Sequence, residues 1–110
     1  MIPTFLYCYK NRTKKVLENE EWIQVLARLN QEKNLTYKEM VAFTTLCVFA
    51  YYFGQGDALA GMMLSGFLRG KTEREIIKKV LGKIPTTPNE LYAILHTAGY
   101  MRIISKILKE

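Results

Sequence analysis

The stretch from Met40 to Leu68 constrains this chain more than any other. It reads Met40-Val-Ala-Phe-Thr-Thr-Leu-Cys-Val-Phe-Ala-Tyr-Tyr-Phe53, then Gly54-Gln-Gly-Asp57, then Ala58-Leu-Ala-Gly-Met-Met-Leu-Ser-Gly-Phe-Leu68. Neither half carries a charge or shows a polar face at helical spacing. A helix that is apolar all round has to be covered on all sides, by protein or by lipid. The halves hold 14 and 11 residues, whereas a bilayer span needs ~20. Lys38 and Glu39 flank the entry, and Asp57 sits in the connection. The sequence therefore predicts a buried helical hairpin over 40–68, with a membrane hairpin as the less favoured reading. Gly54, Ala58, Gly61 and Ser65 recur at spacings of four, three and four, a row along which another helix backbone can approach closely.

Start and stop signals divide the rest of the chain. A helix ending near Asn30–Lys33 can start at Thr13 or at Asn19, and Asn19 followed by Glu20 and Glu21 is the better signal, with acids at the positive dipole end. Trp22, Val25, Leu26 and Leu29 form its apolar stripe, with Ile23 and Ala27 beside it. Thr36-Tyr-Lys-Glu39, Thr72-Glu-Arg-Glu75 and Thr87-Pro-Asn-Glu90 each have the form of a capping box. Gly54, Gly70 and Gly82 suit the left-handed position that ends a helix. Helices are thus predicted at about 36–53, 57–69, 72–81 and 87–109, the last bending at Gly99. Ahead of them, residues 3–9 are rich in aromatic side chains and read as a short strand, with Phe5, Tyr7 and Tyr9 on one face. The expected fold is mainly α: about five helices around the 40–68 hairpin, with a short N-terminal β-strand, in one domain over 1–110. Residues 1–15 form its basic N-terminal arm.

Chemistry-bearing residues are sparse. Two cysteines without a Cys-x-x-Cys pair and a single histidine, His96, argue against a metal site. No phosphate-cradling loop is present, since Gly54-Gln-Gly56 is too short. The acids are scattered, and neither Ser65 nor Ser105 has an activating neighbour in sequence. No catalytic residue, cofactor or metal is expected, and the chain reads as non-enzymatic. The N-terminus lacks the basic start and cleavage site of a signal peptide, so a cytoplasmic setting is expected.

Charge is uneven. The net charge is +6. Lys10, Arg12, Lys14 and Lys15 make the N-terminal arm basic, as Arg69, Lys71, Arg74, Lys78, Lys79 and Lys83 do a later segment, whereas residues 16–68 are net acidic. Clustering of this kind suits an anionic partner and equally suits an ordinary solvated surface. The segment 72–100 resembles a helix-turn-helix: a basic helix, Gly82, then a capped second helix. That resemblance implies that Thr87, Asn89, Tyr92 and His96 lie toward the major groove of double-stranded DNA. Arg74, Lys78, Lys79 and Lys83 would then meet phosphates, with Lys10, Arg12, Lys14 and Lys15 as a second basic patch. The connection from Gly82 to Pro88 is longer than the motif's usual turn, and Lys78 stands where the motif has a small residue. Thirteen aromatic residues and five methionines exceed what a small bundle has to bury, and both types are enriched at interfaces. The leading expectation is a small basic regulatory or accessory protein, dimeric, touching DNA. The alternative is a protein-interaction module without nucleic-acid binding.

Overall fold

The structure is a computed structural model that describes residues 4–109, with side chains from Cys8 onward. Seven helices occur among these residues: α1 (Thr4–Leu17), α2 (Glu20–Lys33), α3 (Tyr37–Gly54), α4 (Ala58–Arg69), α5 (Lys71–Leu81), α6 (Pro88–Thr97) and α7 (Tyr100–Leu108). No strand occurs among them, which corrects the expected N-terminal strand: its residues from Thr4 onward open α1, and Pro3 lies outside the described residues. Tyr9, Thr13 and Val16 are the positions α1 buries among its described side chains, and steps of four and three are helical, not alternating. A lone strand would leave its backbone groups unpaired, whereas a helix satisfies them internally. Tyr9 still uses its aromatic bulk, packing 4.6 Å from the Phe49 ring and 5.3 Å from that of Tyr52, centroid to centroid.

The cap signals fare unequally. Asn19 accepts the Glu21 and Trp22 amides and starts α2 as expected, and Asn34 ends it in the left-handed conformation. Thr36 and Glu39 form the complete reciprocal box at the start of α3, at 3.1 and 2.9 Å. Thr87 accepts the Glu90 amide, but the Glu90 carboxylate reaches back one residue further, to Thr86. The box at Thr72 does not form. Helix α5 already begins at Lys71 with Gly70 as its N-cap, so Thr72 falls inside the first turn.

Of the three expected glycine stops, only Gly82 is left-handed (φ 81°). Gly54 is the last residue of α3, and its missing side chain makes room for the Tyr92 ring of α6: an added Cβ would lie 2.8 Å from Cζ. The helix expected over 87–109 is two. Gly99, at φ 89°, breaks the backbone ladder, while Leu91 and Leu95 before it and Met101, Ile104 and Leu108 after it enter the same core. That shared core is why the spacing runs unbroken through the break.

Helix α3 is the axis of the molecule. It packs against α1, α4, α5, α6 and α7, and Trp22 of α2 reaches it through its indole N–H, which donates to Thr44 Oγ1 at 2.9 Å. Around that bond the Trp22 ring stacks on Phe43, and Tyr100 packs edge-on against both. The hairpin itself is only half buried. Helix α3 buries Phe43, Thr44 and the run Leu46–Ala50, but α4 buries only Ala60 and Leu64 and leaves Met62 68% exposed. Helix α4 lies at the surface because its neighbours α3, α5 and α6 cover one side of it. No helix among the described residues is long and apolar enough to cross a membrane. The radius of gyration, 12.9 Å, is that of a compact chain of this length (about 13 Å).

Candidate interaction surface

The residues of the helix-turn-helix resemblance are not gathered into one reading head. Helix α5 packs on α2, α3 and α4, and α6 packs on α3, α4 and α7, so the two touch each other marginally at most. In the motif they would brace one another. Tyr92 is half-buried over Gly54, edge-on to Phe53, and stacks on His96 at 6.0 Å. Thr87 is occupied as a cap, while Asn89 is exposed. Lys79 is exposed but engaged within the chain: its ammonium donates to the Asn34 carbonyl at 3.0 Å and pairs with Glu39 at 3.2 Å. The Glu39 carboxyl is held below its usual pKa, first by the Thr36 amide and then by Lys79. Arg74, Lys78 and Lys83 are exposed. On α1, Lys10, Lys14 and Lys15 are exposed and Arg12 is half-buried, Lys14 lying 4.0 Å from Glu18.

What the fold does assemble is an apolar trough along α3. Helices α1 and α4 both run antiparallel to α3 and lie apart on either side of one of its flanks. Val41, Thr45 and Phe49 of α3 form the floor, Tyr9, Thr13 and Leu17 of α1 one wall, and Met63 and Phe67 of α4 the other. The space between them is about 700 Å³. Past Leu17 and Val41 it opens onto a depression lined by Ile23, Leu26 and Tyr37. Past Thr45 and Phe67 it meets another, against Ile76 and Ile77 of α5. From Tyr37 to Phe49 the floor follows α3 for ~18 Å, at ~1.5 Å of rise per residue.

The floor offers no free polar chemistry. Thr45 donates its hydroxyl to the Val41 carbonyl at 2.9 Å, and no buried side-chain nitrogen or oxygen lacks a partner among the described residues. Charge sits on the rim, where Lys10 and Lys14 stand on the α1 side. One end is closed by a clasp: the Tyr9 hydroxyl donates to Asp57, whose other oxygen caps α4 by accepting the Leu59 and Ala60 amides. Burial first, and that bond second, push the Tyr9 pKa well up. Sequence reasoning missed the trough because Val41, Met63 and Phe67 are chemically indistinguishable from core residues. Only where α1 and α4 land leaves them uncovered.

Nothing else in the described residues gathers reactive groups. No set of three or more His, Cys, Asp or Glu side chains is placed to hold a metal ion. Cys8 is exposed and Cys47 buried, both as free thiols, and burial pushes the Cys47 pKa well up. Comparison with known protein families, characterised proteins and solved structures finds no match to this chain.

Proposed function

We propose that this chain is a non-enzymatic protein-interaction module that receives a helix of a partner in the trough between α1 and α4. The observation that carries the reading is the uncovered flank of α3. A helix apolar on every side is stable in water only when covered, and along this trough Val41 and Thr45 of α3 are left half-buried. Helix-in-groove recognition uses apolar anchors at i, i+3 or i+4, and i+7, which span ~10.5 Å along a helix, well within the trough's length. Two free cysteines support an intracellular setting.

Selection from a displayed library of helical peptides tests this reading. Enriched peptides are expected to bind the parent chain at micromolar concentrations and to lose binding to Thr45→Arg, which fills the floor. Enriched peptides that bind both proteins equally would sink the reading.

Duplex DNA binding is the second reading, favoured by the exposure of Lys10, Lys14, Arg74, Lys78 and Lys83. It predicts anisotropy of a labelled duplex that falls ~10³-fold in affinity between ~50 and ~200 mM salt, as expected for six or more phosphate contacts. Absence of binding at the lower salt would remove it. Light scattering tests the dimer, and a monomer at micromolar concentration would remove that expectation.

A further inference from the structure

The trough has the shape of a vacant helix position. Helices α1, α3 and α4 alternate in direction, and the rows facing the trough repeat at i, i+4: Thr13 and Leu17, Val41 and Thr45, Met63 and Phe67. Rows at this spacing interdigitate with the same rows of an incoming helix. The apolar floor supplies burial and no direction, so selectivity has to come from the rim.

The rim is asymmetric. Lys10 and Lys14 stand on the α1 side, also at i, i+4, and the α4 side contributes no charge. The one acid lining the adjoining depressions is Glu73, at the α5 end. Lys14 is 77% exposed and its contact with Glu18 is long, so it can exchange that partner at little cost.

Resting on the trough reading above, we infer that the occupant is an amphipathic helix bearing carboxylates at i, i+4 along the edge that faces α1. Its apolar side chains seat between Val41, Thr45 and Phe67, and its acids meet Lys10 and Lys14. A second copy of this chain is the poorer occupant. It brings a net charge of +6 toward the same lysines, and like charges then face each other across the contact.

The test uses two labelled synthetic helices of about 18 residues, long enough to span the trough. They share one leucine face and differ only in edges of glutamate or of lysine. Titrated with the full chain at ~50 mM salt, the glutamate helix is expected to bind about tenfold tighter, and the advantage to shrink at ~500 mM salt. Exchanging both rim residues (Lys10→Glu with Lys14→Glu) should reverse the order. Both positions are exposed, so this arm does not depend on whether Thr45→Arg folds. Thr45→Arg should abolish binding of both helices.

Equal binding of the two helices, lost in Thr45→Arg, would overturn the acidic partner and leave the trough reading intact. Saturation by neither helix, or binding indifferent to Thr45→Arg, would overturn both. A dimer by light scattering that Thr45→Arg dissociates would make a second copy the occupant and overturn the inference.

Discussion

Thr44→Val is the most informative single change in this core. Thr44 and Trp22 are both fully buried. The threonine hydroxyl accepts the indole N–H at 2.9 Å and donates to the Met40 carbonyl at 2.8 Å. Valine keeps the shape and removes the acceptor, leaving a buried indole N–H with no partner. That costs ~1–3 kcal/mol, so a loss near 2 kcal/mol is expected. At ~4–8 °C per kcal/mol for a domain near this size, Tm should fall by about 10 °C. The urea midpoint should drop by about 1 M for a slope of ~2 kcal/mol per M. Trp22 is the only tryptophan, so its fluorescence follows unfolding with a probe seated at the site. Thr44→Ser keeps the acceptor and loses only a methyl, worth ~0.8 kcal/mol, and should be the milder of the two. A valine variant as stable as the parent would refute the role assigned to this bond.

Three further outcomes are expected. Gly54→Ala gains helix propensity worth up to ~1 kcal/mol but drives a methyl into the Tyr92 ring at a cost of ~1–3 kcal/mol. Urea denaturation should show a net loss in the parent and a gain in a Tyr92→Ala background; a loss in both would contradict the close approach. Thr36→Ala should cost ~1 kcal/mol through the lost cap, whereas Thr72→Ala should stay within ~0.5 kcal/mol. Equal costs would mean that α5 starts later than Lys71. The third concerns alkaline pH. The pKa of Tyr9 is raised by burial and by Asp57, and that of Tyr100 by burial, so the folded chain holds these protons more tightly than the unfolded one. Stability is therefore fully present below the ordinary tyrosine value of ~10 and is lost as pH rises above it. Urea midpoints measured at increasing pH should show that decline, and Tyr9→Phe should flatten part of it.

Local signals were legible where they act within a turn or two. Asn19 and the Thr36–Glu39 pair start their helices as read, and the stripe Trp22, Val25, Leu26 and Leu29 is buried as read. The errors arose where a distant neighbour decides. Tyr9 reads as a strand residue until Phe49, Tyr52 and Asp57 are brought beside it. Gly54 reads as a helix stop, yet its role is set by a tyrosine 38 positions away in α6. Gly99 reads as a bend because two separate helices share one core face. The trough was illegible for the same reason: hydrophobic pattern says that α3 must be covered, and says nothing of which flank is left open.

The unequal anchoring of the trough's parts has a dynamic consequence. Among the described side chains, α1 is anchored by Tyr9, Thr13 and Val16 and by a clasp to Asp57, whereas α3 buries seven residues and contacts most of the fold. Segments with few buried contacts open in partial fluctuations that cost less than global unfolding. In native-state hydrogen exchange, the α1 amides should therefore exchange through such an opening, while those of α3 wait for the whole molecule to unfold. One bank of the trough then lifts while its bed stays in place, and whatever settles there would be registered first as slowed exchange in α1.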